Sequence, residues 1–354
     1  MKYYLKLFLP VLCACIVFSG CSLWMDGEYV SVTPNISHGD NQVDQSTIVS
    51  TYNQLYETLE ELVENGEQDG LLYFKDMTEE SVLNYMRMAS ENICTLNPIG
   101  SYAVDEITYE VGTNTGVKAL AIDISYMHNR SEILRIKKAK DMDEALKLIR
   151  VALENFESGT VIMVSQWKNK DLIQFVEDYV AEHPQTCMEM PQVSVSYFPE
   201  LGVERIADIS FTYQTSRDSL RSMQQSVSNV FKSAQFYVDP LAENSEKYSQ
   251  LYSFLMERYD YKFETSITPS YSLLRHGVGD SKAFAIVYAE MCRQVGLDCQ
   301  VVSGTKGGEP WHWNVLNEDG VYYHVDLIEC YYSGNFSANT EDLMVGYVWD
   351  YSNF

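Results

Sequence analysis

Ser281 stands where a nucleophile would. It lies in the stretch GVGDSKAFAIVYAEMCRQVGLDC, residues 277–299. Residues 277–279 read as a loop, and from Lys282 onward Phe284, Val287, Tyr288, Met291 and Val295 recur at helical spacing. A small hydroxyl residue therefore opens a buried helix, where free backbone N–H groups and the helix dipole favour an anion. Acyl transfer through a covalent intermediate is the chemistry that such a position serves, provided a base removes the hydroxyl proton.

Downstream, CQVVSG (299–304) reads as a strand, followed by a Gly-rich loop. WHWNVLNEDGVYYHVDL (311–327) then reads as a hairpin, with Glu318-Asp319-Gly320 as its turn. Upstream, KYSQLYSFLMERYDY (247–261) has the spacing of an amphipathic helix. A helix opening on a nucleophile and packed on strands that bear His and then Asp is the layout of transglutaminase-like, papain-type cysteine enzymes. The chain resembles the bacterial transglutaminase-like family over about residues 247–350. Ser281, Ala285 and Gly296-Leu297 fill the places of that family's Cys-x-x-x-Ala helix and its Gly-Leu, while Gly304, Trp313-Asn314 and Asp326 fit its strand-end Gly, its His-x-Trp-Asn segment and its Asp.

The chain departs from that pattern twice. Ser281 replaces the thiol, and a serine hydroxyl is a far weaker nucleophile at neutral pH without a placed base; Asp280 beside it disfavours a developing anion. Trp311 occupies the family's His position, and His312 comes one residue later, which in a strand turns a side chain to the opposite face. The resemblance therefore implies a domain that has lost its chemistry and acts in binding a peptide, cell-wall fragment or protein, or as a scaffold. Two other functions compete with it. One is a serine hydrolase or acyltransferase using Ser281, His312 and Asp326, with a bulge turning His312 inward. The other is adhesion or assembly through the N-terminal domain. Without catalysis, Asp280 or Ser281 is expected to cap the helix and Asp326 to accept buried hydrogen bonds near the helix start. Trp311, Trp313, Tyr322 and Tyr323 then form the core and rim of the cleft, and His276 and His324 are surface or loop residues.

An internal repeat precedes this domain. GLLYFKDMTEESVLNYM, ITYEVGTNTGV and ALAIDISYMHNRSEILRI (from Gly70, Ile107 and Ala119) match GTVIMVSQWKNKDLIQFV, VSYFPELGV and ERIADISFTYQTSRDSLRSM (from Gly159, Val195 and Glu204), at a spacing of 85 to 89 residues. Each unit reads helix, strand, helix, strand, strand, with leading helices at 47–63 and 142–156. The fold class is α+β: a duplicated α/β repeat domain over 46–235, then a transglutaminase-like α+β domain over 236–354. Asp123 and Asp208 recur at matching places and read as turn or cap partners.

At the N-terminus, Lys2 and Lys6 flank the start of the apolar run 7–18, which ends in Phe18-Ser19-Gly20-Cys21. The layout is that of a secretory signal, and small residues directly before a cysteine resemble a bacterial lipobox. Residues 1–20 are thus expected to be a signal peptide, Cys21 a lipid anchor to the bacterial cell membrane and 21–45 a flexible tether, giving an extracytoplasmic protein. Removing Lys2 and Lys6 leaves 23 basic against 50 acidic residues, a charge of −27, compared with −25 for the whole chain of 354 residues. So acidic a chain is a poor partner for nucleic acid. Apolar residues at 46% and 26 tyrosines favour globular structure. Cys94, Cys187, Cys292, Cys299 and Cys330 show no metal-ligand spacing, no cofactor motif occurs, and Cys292 and Cys299 read as buried small hydrophobes.

Overall fold

The computed structural model describes residues 48–114, 116–262 and 271–350. The expected leader, Cys21 and the tether lie outside the described residues. Residues Gln45–Phe354 hold together as one compact unit by their contacts.

The chain opens with β1 (Ile48–Val49), α1 (Tyr52–Glu64), β2 (Asp69–Phe74), α2 (Glu79–Leu96), α3 (Pro98–Ala103), β3 (Val104–Asn114), β4 (Val117–Tyr126) and α4 (Arg130–Ile133). It continues with β5 (Lys137–Asp141), α5 (Met142–Glu154), β6 (Gly159–Gln166), α6 (Leu172–Glu182), β7 (Gln192–Phe198), β8 (Arg205–Thr212) and α7 (Arg217–Tyr237). Local signals explain the helices. Thr51, Thr78, Asp141 and Asp171 each accept a main-chain N–H at a helix start. Leu55, Leu59 and Val63 then bury one stripe of α1 at four-residue spacing.

Two four-stranded sheets result, ordered β1-β2-β4-β3 and β5-β6-β8-β7. In each, a short first strand runs parallel to the second and the remaining pairs are antiparallel. The short strands β1 and β5 precede helices that the sequence pattern places at 47–63 and 142–156; both helices prove shorter. β5 reads KKAKD, and nothing in so charged a run announces a strand. Asp123 and Asp208 are not cap or turn partners: both lie inside strands, opposite Asp69 and Val161 respectively. Burial raises the pKa of Asp208, partly offset by the charge of His128.

The second sheet is covered on one face by α5 and α6. Its other face receives α3, where Tyr102 meets Phe198 edge-on at 5.5 Å.

The remaining elements are α8 (Asn244–Met256), β9 (Asp260–Tyr261), α9 (Tyr271–His276), β10 (Val278–Gly279), α10 (Ser281–Gln294), β11 (Cys299–Lys306), β12 (Glu309–Glu318), β13 (Val321–Val325), α11 (Leu327–Ser333) and β14 (Tyr347–Trp349). The helix expected at 247–261 starts earlier and stops at Met256; Asp260 and Tyr261 instead pair with Val278 and Gly279. The sheet β13-β12-β11-β14 is antiparallel throughout. Asp319 and Gly320, at φ 53° and 85°, make the tight β12–β13 turn. Against this sheet lies α10, buried from Ala283 to Cys292, with Phe284, Tyr288, Tyr248, Phe254 and Trp313 at the centre of the core. Leu220, Val227, Phe231 and Ala234 of α7 join the same core.

Candidate functional site

Asp280, not Ser281, caps α10: its carboxylate accepts the N–H of Ala283 at 2.9 Å. Burial raises the pKa of Asp280, opposed by that bond and by the charge of Lys282. Ser281 is 7% exposed, and its Oγ accepts the main-chain N–H of His312 at 3.3 Å. The expected nucleophile position is thus set at a helix start beside β12, as the helical spacing requires. Residues 277–279, expected as a loop, instead contain β10, whose Val278 and Gly279 pair with Asp260 and Tyr261.

β12 carries Trp311, His312, Trp313 and Asn314. Its register with β11 is unbroken, with Val302 opposite Trp313, Ser303 opposite His312 and Gly304 opposite Trp311. No bulge turns His312 toward the place of Trp311. The Trp311 side chain is buried, and its Nε1–H donates to Asp326 Oδ2 at 2.8 Å. Asp326 is otherwise saturated. Oδ2 also accepts from Lys306 Nζ at 2.9 Å and Tyr347 Oη at 2.7 Å, and Oδ1 accepts the N–H groups of Ile328 and Glu329. Asp326 therefore caps α11 rather than serving the start of α10.

The Ser281–His312–Asp326 set is not assembled. Among the described residues the ring of His312 makes no hydrogen bond to Ser281 or to Asp326, whose acceptor sites are taken by the five donors just named. Burial, helped by the Lys282 charge, pushes the pKa of His312 down to about 4, so its ring is neutral at neutral pH. A neutral imidazole is the right form for a base, but with no carboxylate to orient it and no bond to the hydroxyl it has no substrate proton to take.

Two histidines differ in placement. His276 ends α9 and is exposed, as expected. His324 is no surface residue: it is 6% exposed, and its Nδ1 accepts the indole N–H of Trp313 at 2.9 Å. Burial lowers its pKa, which keeps that acceptor free of a proton. Alternation along β13 alone does not show this burial, because the rings beside His324, Trp313 and Trp349, come from β12 and β14.

Sequence reasoning missed Lys306, Tyr347 and Glu329. Lys306 Nζ bridges Asp326 and Glu329, at 2.9 and 2.8 Å, and lies 5.1 Å from the centroid of the Trp311 ring. Burial opposes the lysine charge, but the bonds to Glu329, Tyr347 and Asp326 outweigh it and hold the pKa above the ordinary lysine value. The one hint of this cluster was Gly304. The strand does not end there as expected but runs on to Lys306. A Cβ at Gly304 would lie 2.3 Å from the carbonyl oxygen of Val348 and 2.8 Å from the Trp313 ring. The glycine marks the close approach that lets β14 and Tyr347 join the sheet.

Next to Asp326 a cavity of about 300 Å³ opens between β11, α11 and the segment before β14, with Lys306, Glu329, Ser333, Asn339 and Tyr347 in its wall. Outward from Trp311, the ring of Tyr261 lies at 6.1 Å, and that of the exposed Tyr332 is 6.4 Å from Tyr261. Among the described residues, Cys94, Cys187, Cys292, Cys299 and Cys330 are free thiols. Among the described residues no group of three or more His, Cys, Asp or Glu side chains gathers to hold a metal ion, and no helix is long and apolar enough to cross a membrane.

Residues 233–336 match the family model of the transglutaminase-like superfamily. The chain thus contains a transglutaminase-like domain, joined to the mixed helices and strands that precede it. No curated protein matches the chain. Among solved structures, the chain is similar to a crystal structure of a TGase at 11% identity and a TM-score of 0.29, covering 55% of this chain and 56% of that one. It is also similar to a candidate cysteine protease from Cytophaga hutchinsonii at 8% identity and a TM-score of 0.25, covering 42% of this chain and 65% of that one. The chain thus spans less than two thirds of the length of either.

Proposed function

We propose that the transglutaminase-like domain is catalytically degenerate and serves in binding or as a scaffold on an extracytoplasmic, lipid-anchored protein. The observation that carries this reading is the Trp311–Asp326 hydrogen bond beside Ser281. An indole N–H can hold the carboxylate, but it cannot accept the proton of a nucleophile, because the indole nitrogen is a donor only. Ser281 then has a helix start and no base. The cavity beside Asp326, together with Tyr261 and the exposed Tyr332, leaves room and ring surface for a peptide, cell-wall fragment or protein ligand. The membrane enters as partner through Cys21, the cysteine that follows Ser19-Gly20 at the end of the apolar run.

The test is serine-directed labelling with a fluorophosphonate probe on wild type and Ser281→Ala. Neither protein is expected to label at residue 281. A wild-type signal that vanishes in Ser281→Ala overturns the reading. Anchoring is tested separately: in a bacterial host that processes lipoproteins, Cys21→Ser should abolish incorporation of an alkynyl fatty acid.

A further inference from the structure

The two N-terminal sheets share one strand order, so β3 and β7 are equivalent open edges, and they differ sharply in chemistry. β3 carries Asp105, Glu106 and Glu110. β7 reads QVSVSYF, without a charged residue. The other described edges are short or guarded. β1 has two residues and β14 three, β5 carries Lys137, Lys138, Lys140 and Asp141, and β13 is partly closed by the His324–Asn339 bridge. Charges on an edge strand block pairing with another chain, and a long uncharged edge invites it. Ser194 and Ser196 of β7 are exposed, whereas Val193, Val195 and Tyr197 are only half-buried at the margin of the core formed with α5 and α6.

We propose that β7 is a self-association edge, on which two copies of this chain pair antiparallel about a two-fold axis through Val195. That register sets Val193 against Tyr197, Val195 against its own copy, Ser194 against Ser196 and Gln192 against Phe198. Each half-buried apolar residue of the core-facing row meets another, each exposed serine meets a serine, and the aromatic-to-branched pair is one that stabilises antiparallel sheets. Charge selects the same edge. Two copies each at −25 repel, and a β3–β3 pairing would bring Asp105, Glu106 and Glu110 of both copies onto one ladder, whereas β7 brings none. The two-fold pairing joins the two sheets into one continuous sheet.

The experiment is light-scattering mass of the full chain in mild detergent across the micromolar range, for wild type, Ser194→Lys/Ser196→Lys and Thr108→Lys. Thr108 lies on β3 opposite Asp123, as Ser196 lies on β7 opposite Asp208. All three substituted side chains are exposed, so folding, checked by circular dichroism, should persist. The expected result is a wild-type dimer that Thr108→Lys retains and the double lysine variant halves in mass. A wild type at monomer mass throughout overturns the proposal and leaves the edge to a foreign strand. A dimer that survives both lysines overturns it too, placing the contact elsewhere.

Discussion

Trp311 and Asp326 are joined by a 2.8 Å hydrogen bond from the indole Nε1–H to Oδ2. In a domain of this family the resemblance places an imidazole at residue 311, held by the same carboxylate. The indole keeps the donor half of that interaction and has no acceptor half. Ser281 and Trp311 are therefore consistent with each other: once the base position can only donate, a thiol at 281 has no partner to ionise it.

If the indole bond is structural, Trp311→Phe should cost about 1–3 kcal/mol, because it leaves Asp326 short of one buried donor while keeping most of the ring volume. Trp311→Ala should cost about 3–5 kcal/mol, since a cavity is added. Urea unfolding of the two variants against wild type measures both. A Trp311→Phe variant as stable as wild type, with Trp311→Ala still destabilised, would show that packing alone holds the tryptophan.

His312 predicts a pH dependence. Its pKa is about 4 in the folded chain, against an ordinary 6.5, because burial and Lys282 disfavour the charged ring. A depressed histidine pKa means that the unfolded chain binds the proton first as the pH falls. Stability is then fully present above about 6.5 and drains away toward about 4. For a half-buried ring, solvent screening leaves about 1–2 kcal/mol of this effect. His324 and the carboxylates titrate as well, so the readout is a difference: between pH 7 and pH 4.5, His312→Gln should lose less stability than wild type. Parallel curves for the two proteins would show that the ring titrates normally.

Trp313 Nε1 has His324 Nδ1 as its acceptor in the core. His324→Ala should cost about 1–3 kcal/mol by leaving that N–H unpaired. His324→Gln, which can still present an acceptor, should recover part of the loss in thermal melts. If both variants melt alike, the bond contributes little.

The C-terminal fold was legible because its signals are local. Helical spacing from Phe284 to Val295, the Asp319-Gly320 turn and the alternation of β12 each fix an element without help from distant residues. The same alternation predicted that His312 and Trp311 point to opposite faces, and the unbroken β11–β12 register agrees. What stayed hidden depends on segments far apart in sequence. Lys306 and Tyr347 reach Asp326 only because β14 docks on β11 across Gly304, and no periodicity encodes that pairing. β5 was hidden for another reason. Its lysines suit an edge that must not pair further, and they erase the apolar pattern by which strands are recognised.

Restoring a thiol and an imidazole together tests whether residues 281 and 311 stand in the nucleophile and base positions. Ser281→Cys alone puts a thiol at the start of α10, where the helix dipole favours the thiolate while Asp280 opposes it. Adding Trp311→His places an imidazole where the indole now bonds to Asp326, the arrangement in which a carboxylate-held base ionises a neighbouring thiol. The single variant should react with iodoacetamide at pH 6 like an ordinary, slow thiol, and the double variant at least about tenfold faster. Native cysteines are controlled by wild type, and the site of alkylation is read by peptide mass. The smaller ring leaves a void and lowers stability by about 2–4 kcal/mol, so rates are compared well below the melting temperature. If the double variant, folded, alkylates no faster than the single one, residue 311 does not stand in the base position, and the proposed degeneracy loses the observation that carries it.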